Sequence, residues 1–310
     1  MRKLNIVFMG SPDFAVPSLR KLADSGHSIN LVVTGPDKRR GRRQKPTPTP
    51  VKAEAEKAGL PVFETDDVSG PDFQKKMEDI APDLMVVVAF KILPESILQI
   101  PGEGAINLHA SLLPKYRGAA PIHHAVMNGE TETGCTVFFL NKGIDTGNII
   151  EQRKTPVGVD ETTGDVYERL MELGSELLRD CVDSIAAGTA EAKPQPDAPA
   201  TRAPKLYKER CQIDFDQPAE QVHNFIRGLS PFPAAWTHLD GKHVNIYRTR
   251  IVENPGLKPG EIQSDNGSAI AGCKSGAVEL VELQMEGKKR MSGDELLRGL
   301  HKQSGWFEGT

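Results

Sequence analysis

The chain has 310 residues, with 38 basic and 42 acidic side chains and a formal net charge of −4. A hydrophobic fraction of 38% and a charged fraction of 26% indicate a globular protein, and the length is enough for two domains. No apolar run reaches the roughly 20 residues that a membrane span needs, and the acidic balance argues against a protein that coats nucleic acid.

The first 186 residues alternate between apolar runs and segments with helical spacing. Buried strands are predicted at 4–8, 29–33, 83–89, 104–109 and 134–140, and helices at 14–22, 51–58, 94–100, 120–128 and 162–186. Strands that are apolar throughout and alternate with helices predict an α/β fold, a doubly wound and mainly parallel sheet covered on both faces. In such a sheet the functional site is expected at the carboxyl ends of the strands.

The sequence changes character after residue 187. Residues 188–204 contain prolines, alanines and mixed charge without periodicity, which indicates a linker. Short strands at 244–247, 260–262, 268–270 and 277–283, separated by glycine-rich turns, then predict a small β-barrel. The expected domains are 1–187 and 205–310, joined by that linker.

Cysteine spacing and the N-terminal residues bear on the cellular setting. The four cysteines lie far apart and form no CxxC or CxxH pair, so we expect no metal site, no disulfide framework and a reducing cytoplasm. No secretory signal is expected, because Met1-Arg2-Lys3 runs directly into a short apolar strand. Nothing in the sequence indicates a membrane or an obligate protein partner.

Cofactor motifs that this fold class often carries are missing. Gly10-Ser11-Pro12-Asp13 follows the first strand but lacks the second and third glycines of a dinucleotide fingerprint, and GxxxxGK[ST] does not occur. A nicotinamide oxidoreductase is therefore not expected.

A polar pair stands at the end of the strand at 104–109. Asn107 and His109 are two residues apart and therefore project to the same side of that strand. An amide and an imidazole side by side can stabilise negative charge that develops on a carbonyl oxygen. The alternative is a hydrogen-bonded structural Asn beside a half-buried His.

Asp145 is the third candidate, in the glycine-flanked segment Gly143-Ile144-Asp145-Thr146-Gly147 just past a predicted strand. Flanking glycines allow a sharp turn and a close approach of substrate, although an Asx turn would suit the same residues. Ser111 lacks a GxSxG elbow, so direct transfer between two bound substrates is favoured over a covalent intermediate.

The block NLHASLLPKYRG at 107–118, followed by Asp145, resembles the folate-dependent formyltransferases. The resemblance covers nearly the whole chain and includes residues 10–14, 36–52, 118–122, 145–147, 288–292 and 306–307. It implies a Rossmann-like formyltransferase domain, an OB-like C-terminal barrel, and 10-formyltetrahydrofolate as formyl donor. The acceptor it implies is the α-amino group of methionine on initiator methionyl-tRNA.

The same resemblance implies roles for individual residues. Asn107 and His109 would hold and polarise the formyl oxygen, while Asp145 would orient His109 and help to remove the amine proton, directly or through water. The folate pocket would be formed by Ser111, Leu112, Leu113, Pro114, Phe90, Ile92 and Leu93. At Lys91 the chain departs from the family, which commonly has a glycine there.

A cluster of six cations follows the second predicted strand: Lys38, Arg39, Arg40, Arg42, Arg43 and Lys45. The resemblance implies that this basic loop enters the acceptor arm of the tRNA, with Arg42 at the position that matters most, and that the barrel supports the tRNA from the other side. A solvated surface is the alternative for the loop. It is equally open for the barrel candidates Arg248, Arg250 and Lys288-Lys289-Arg290.

Two rival functions remain at this stage. A formyltransferase that acts on a nucleotide-linked amino sugar would have the same two-domain plan but would not need six cations beside its site. A protein that only binds RNA would not need the set of Asn107, His109 and Asp145.

Overall fold

The computed structural model describes residues 2–38, 46–196, 198–265, 267–299 and 304–308. The chain forms two compact units. Unit 1 comprises Met1–Gly118, Gly134–Thr155 and Tyr167–Arg202, and unit 2 comprises Ala119–Thr133, Pro156–Val166 and Ala203–Thr310. The domain boundaries expected from the sequence stay a prediction.

Unit 1 is built on a seven-stranded sheet with the strand order β3-β2-β1-β4-β5-β6-β7. The first five strands pair in parallel, and β6 runs antiparallel to β5. The predicted doubly wound, mainly parallel sheet is therefore confirmed. The strands are β1 (Asn5–Gly10), β2 (Ser28–Thr34), β3 (Val62–Glu64), β4 (Leu84–Val88), β5 (Ala105–His109), β6 (Glu132–Phe139) and β7 (Ile149–Pro156).

The central strands β1 and β4 are buried because almost every side chain in them is apolar. Ile6, Val7 and Phe8 on β1 and Met85 and Val86 on β4 are all fully inaccessible to solvent. After β1 the chain crosses to β2 on one side, and β4 lies on the other side, so the strand order reverses between β1 and β4. Such a reversal opens a crevice at the carboxyl ends of the strands.

Helices connect or follow these strands in the first two-thirds of the chain. Four of the six carry proline in the first helical turn, where the missing N–H costs nothing. Thr49 caps one of them by accepting the Lys52 N–H at 3.0 Å. The helices are α1 (Val16–Ala23), α2 (Pro50–Lys57), α3 (Pro71–Ile80), α4 (Glu95–Leu98), α5 (Pro121–Met127) and α6 (Thr163–Ala186).

Unit 2 contains a closed six-stranded barrel with the order β10-β11-β12-β9-β8-β13, which confirms the predicted second fold. The rings of Phe215 and Phe307 stack in its core, with their centroids 5.1 Å apart. Its elements are α7 (Ala219–Leu229), β8 (Ala235–Leu239), β9 (Lys242–Val252), β10 (Glu261–Asp265), β11 (Ser268–Gly272), β12 (Ala277–Met285), α8 (Gly293–Gly299) and β13 (Ser304–Glu308).

Several elements of the structure are not among those predicted from the sequence. The edge strand β7 reads IIEQRKTP and is largely exposed, so it has no buried apolar run to reveal it. Helix α7 did carry a signal, because Val222, Ile226 and Leu229 recur at helical spacing and are all buried. Among the described residues no helix is long and apolar enough to span a membrane.

Candidate active site

A cavity of about 100 Å³ opens in unit 1 beside the ends of β4 and β5. Asn107 from β5 and Asp145 from the loop after β6 contribute its polar lining. The apolar side of the cavity includes Phe90, Ile92 and Leu93, which follow β4. The cavity is therefore lined by two of the three predicted catalytic residues and by three of the seven predicted folate residues.

His109 is held by its ring nitrogens. Nε2 lies 2.9 Å from the carbonyl oxygen of Tyr116, and that oxygen can only accept, so Nε2 carries a proton and donates. Nδ1 lies 3.8 Å from Asp145 Oδ2, which is an ion-pair distance and not a direct hydrogen bond. In the neutral ring, Nδ1 therefore presents its lone pair on the side of the carboxylate.

Asp145 reaches His109 by an indirect route. Strand β6 runs antiparallel to β5, and the Leu140 N–H donates to Ala105 O at 2.7 Å, so β6 ends beside the start of β5. The loop that follows then turns back along the sheet. Its Asp145 Oδ2 accepts the Gly118 N–H at 2.8 Å, which fixes the carboxylate next to the imidazole.

Asn107, His109 and Asp145 form a cluster of candidate catalytic residues. The backbone around this cluster adopts conformations that are unfavourable for residues other than glycine. Tyr116 has φ of 63° and Asp145 has φ of 53°, both in the left-handed region, and Ala89 before Phe90 has φ of 48°. Each such residue costs of order 1–3 kcal/mol and persists only where its surroundings hold it. The backbone is therefore strained at the residues that contact His109 and border the cavity.

The glycines that flank Asp145 serve close packing. A Cβ on Gly147 would lie 1.7 Å from Phe139 O, and one on Gly143 would lie 2.2 Å from Thr146 Oγ1. The left-handed residue of the turn is Asp145 itself. The turn is therefore made at Asp145, whereas the flanking glycines are needed because a side chain would not fit at their positions.

The other four of the seven predicted folate residues do not line the cavity. Ser111 is buried and donates through Oγ to Lys115 O at 2.7 Å, and the Leu113 N–H donates to Thr136 Oγ1 at 3.1 Å. A role for Ser111, Leu112, Leu113 and Pro114 in folate binding stays a prediction.

Lys91 is one of the cavity-lining residues, and its ammonium group binds Asp66, which does not line the cavity. Nζ donates to Asp66 Oδ1 at 2.8 Å and also to the backbone oxygen of Asp66. The hydrogen bond from Lys91 lowers the pKa of the Asp66 carboxyl below its ordinary value. Lys91 thus ties the cavity wall to the turn after β3.

Most of the predicted tRNA-binding loop lies outside the described residues, namely Arg39, Arg40, Arg42, Arg43 and Lys45. Its base is described. Lys38 is exposed, and its backbone pairs with Thr47 through two hydrogen bonds of 3.1 Å. Lys52 Nζ contacts Asp37 Oδ1 at 2.8 Å and Glu64 Oε1 at 2.7 Å, so the start of the loop is fixed to α2 and β3.

Each of the barrel arginines considered for RNA contact has an acidic partner in unit 2. Arg248 Nη2 lies 3.1 Å from Asp165 Oδ1. Arg250 Nη1 lies 3.8 Å from Glu279 Oε2, and Arg290 Nη1 lies 3.3 Å from Glu282 Oε2. Lys288 and Lys289 are exposed. The two lysines are therefore the better candidates for contact with a phosphate.

Sequence reasoning missed two residues beside the cluster, Gln195 and Thr201. Gln195 Nε2 donates to the carbonyl oxygen of Asp145 at 3.0 Å, and Thr201 Oγ1 accepts the Tyr116 N–H at 2.8 Å. They lie in the segment interpreted as a linker, and no periodicity there pointed to them. In the described part of the chain, no group of three or more His, Cys, Asp or Glu could hold a metal ion.

The arrangement suits attack of an amine on a carbonyl carbon. Asn107 offers an amide N–H at the cavity for a developing oxyanion, and His109 Nδ1 with Asp145 offers an acceptor for the proton that the amine must lose.

Two protein-family models match the chain, one in its N-terminal part and one in its C-terminal part. Residues 3–182 match the formyl transferase family model, and residues 205–301 match the model of the formyl transferase C-terminal domain. A protein of Geobacter metallireducens named methionyl-tRNA formyltransferase is 44% identical, with 98% of both chains covered. A protein of the same name from Chlorobium luteolum is 45% identical, with 97% of this chain and 98% of that protein covered.

A solved structure with a similar fold is the N-formyltransferase of Helicobacter canadensis in complex with folinic acid and dTDP-3-aminofucose. Its TM-score is 0.67 at 19% sequence identity, and the match covers 91% of this chain and 99% of that one. At this identity the match bears on the fold.

Proposed function

The chain belongs to the formyl transferase family, and we propose that it transfers a formyl group from 10-formyltetrahydrofolate to the α-amino group of methionyl-tRNA. The observation that carries this proposal is that Asn107 and Asp145 line one cavity and His109 Nδ1 lies 3.8 Å from Asp145 Oδ2. The chain that holds these residues is 44% identical over its length to a methionyl-tRNA formyltransferase.

The reaction has a simple balance. The amine nitrogen attacks the formyl carbon, the carbonyl oxygen takes up negative charge, and the nitrogen becomes positively charged. When the bond from the formyl carbon to folate nitrogen breaks, that nitrogen takes a proton, and the products are formylmethionyl-tRNA and tetrahydrofolate. The protein has to stabilise the oxyanion and carry one proton.

Asn107 is the oxyanion donor in this proposal. The His109 Nε2–H is engaged by Tyr116 O, so the neutral ring has no second N–H to donate to the formyl oxygen. Nδ1 instead accepts the amine proton, and the imidazolium that forms is then stabilised by the carboxylate of Asp145 at 3.8 Å. Once protonated at Nδ1, the ring can pass the proton on to the leaving nitrogen.

The donor pocket is assigned to the apolar part of the cavity. Phe90, Ile92 and Leu93 offer a surface for a flat ring system, and Ile92 is 74% exposed beside the opening. Lys91, held by Asp66, keeps the backbone of this wall in place. These contacts support a folate subsite here.

The basic loop is assigned to the acceptor arm of an initiator tRNA. Six cations between residues 38 and 45 can neutralise several phosphates, and the pairing of Lys38 with Thr47 and of Lys52 with Asp37 fixes the base of the loop. An amino-sugar nucleotide is a smaller acceptor that would leave most of these charges unused.

The direct test is incubation of the purified protein with 10-formyltetrahydrofolate and methionyl-tRNA, followed by detection of formylmethionine. Methionine on the initiator tRNA should be formylated, and the same amino acid on the elongator tRNA should react slowly. Absence of formylmethionine in the presence of folded protein would refute the proposal.

A further inference from the structure

The segment interpreted as a linker contacts the catalytic cluster directly. Gln195 Nε2 donates to the carbonyl oxygens of Asp145 at 3.0 Å and Gly147 at 2.8 Å. Gln195 Oε1 accepts two hydrogen bonds from the Arg117 guanidinium, at 3.1 Å and 2.8 Å. One side chain thus joins the loop that carries Asp145 to the segment that carries Tyr116.

Thr201 binds that second segment. Its Oγ1 accepts the Tyr116 N–H at 2.8 Å, and its carbonyl oxygen accepts the Arg117 N–H at 2.9 Å. The backbone of Arg202 continues this pairing as a parallel bridge to Arg117. Thr201 therefore binds the N–H of Tyr116 and the N–H of the next residue, Arg117. The Arg117 N–H belongs to the same peptide group as the Tyr116 carbonyl oxygen, which accepts the His109 Nε2–H.

Both residues that these contacts anchor have a strained backbone. Tyr116 has φ of 63° and Asp145 has φ of 53°, and each contacts His109, through Tyr116 O and Asp145 Oδ2. A left-handed residue relaxes unless other contacts hold it. Thr201 supplies such contacts for Tyr116, and Gln195 supplies one for Asp145.

We propose that Gln195 and Thr201 are positioning residues of the active site, and that these two residues hold the partners of both ring nitrogens of His109. Thr201 fixes the carbonyl that keeps the proton on Nε2, and Gln195 fixes the loop that presents the carboxylate to Nδ1. These two residues then support the catalytic residues, although the sequence around them is typical of a linker. Only the kinetic test of this inference, the kcat of the Thr201 variants, rests on the proposed function.

Thr201 provides a matched pair of variants. Thr201→Val keeps the shape of the side chain and removes the oxygen acceptor, whereas Thr201→Ser keeps the acceptor. Thr201→Val should lower kcat about 10- to 100-fold, the usual cost of a displaced catalytic group, while the KM for the folate donor changes little. Thr201→Ser should restore kcat, which a general loss of folding would not allow.

Gln195 provides a second pair and a readout that needs no reaction. The Gly118 N–H donates to Asp145 Oδ2, so its hydrogen-exchange rate reports whether the carboxylate stays in place. Gln195→Ala should raise that rate about tenfold or more, because two hydrogen bonds to the loop are lost. Gln195→Glu keeps an acceptor for Arg117 but cannot donate to the two carbonyls, and it should raise the rate similarly. Exposed Glu191 gives the control, Glu191→Gln, with no change expected.

The outcomes separate the two proposals. If wild-type protein does not formylate methionyl-tRNA, the proposed function fails, and the exchange of Gly118 alone decides this inference. If Gly118 exchange in both Gln195 variants equals that of wild type, the positioning role is refuted. If the protein is active and Thr201→Val retains wild-type kcat, the role of Thr201 is refuted as well.

Discussion

Asp145 Oδ2 lies 3.8 Å from His109 Nδ1, although the strand before Asp145 runs antiparallel to the strand that carries His109. The contact depends on the loop after β6, which turns back along the sheet and anchors its carboxylate on the Gly118 N–H at 2.8 Å. The imidazole is thereby placed between a carbonyl oxygen on Nε2 and a carboxylate facing Nδ1. This placement favours Nδ1 as the nitrogen that exchanges protons with substrate.

Replacing His109 tests that assignment. His109→Ala removes the proposed proton acceptor and should lower kcat by about 10²–10³. Asn107→Ala, which removes the proposed oxyanion donor, should have an effect of the same order. Binding of the folate donor, measured by fluorescence titration, should barely change. The matched control is His238→Ala on the barrel strand β8, whose effect on donor binding and on single-turnover transfer should be small. Near wild-type turnover in folded His109→Ala would refute the assignment.

The sequence predicts the strands of this site better than it predicts the contacts between them. The period of two places Asn107 and His109 on one side of a strand, and in the structure both lie on β5. Asp145 also follows a predicted strand, yet that strand ends beside Ala105, at the other end of β5. Strand direction depends on tertiary pairing, which periodicity does not encode.

Gln195 and Thr201 could not be predicted for a related reason. Their segment has no periodicity, because each residue is held by hydrogen bonds to distant loops of unit 1 and not by a repeating buried face. Prolines and alanines around them are typical of a flexible connection. Patterns of this kind report local composition, whereas the role of these side chains is defined by distant partners.

Gly147 tests whether close packing holds the Asp145 loop. Gly147→Ala would place a Cβ 1.7 Å from Phe139 O, so either the end of β6 or the loop must move. We expect a loss of about 1–3 kcal/mol in the free energy of unfolding, measured in urea, together with a lower kcat. Gly102→Ala is the control, because a Cβ there would meet nothing within 4 Å. Equal stability and activity of the two variants would contradict the role of Gly147.

The basic loop predicts a salt dependence. Arg42→Ala combined with Arg43→Ala should weaken use of methionyl-tRNA strongly and flatten its dependence on salt, because each phosphate contact adds a slope of about −0.7 for single strands. Arginine can hold a phosphate or a base edge with two hydrogen bonds, so substitution by Lys should restore the activity only in part. The affinity for the folate donor should not change. Normal formylation by the double variant across a salt series would indicate a solvated surface.

Asp83 predicts a pH dependence of stability. The Asn5 N–H donates to Asp83 Oδ2 at 2.7 Å and, together with Arg2, lowers the pKa of this carboxyl in the folded protein. A lowered folded-state pKa gives stability that is fully present above the unfolded value, about 3.9, and is lost as the pH falls through the folded value. Asp83→Asn should therefore cost about 1–2 kcal/mol at pH 7 and progressively less below pH 4.

Urea unfolding at several pH values checks this expectation, with exposed Asp79→Asn as control. A stability difference between wild type and Asp83→Asn that stays constant from pH 7 to pH 3 would contradict the stated cause.

The central claim concerns the acceptor, and one reaction mixture tests it most directly. Wild-type protein is given 10-formyltetrahydrofolate together with equal concentrations of initiator methionyl-tRNA and a dTDP-linked 3-amino sugar, and both formylated products are quantified by mass spectrometry. We expect formylmethionyl-tRNA to form almost exclusively and His109→Ala to suppress it. Formyl sugar as the main product would refute the proposed function and assign the site to the amino-sugar reaction.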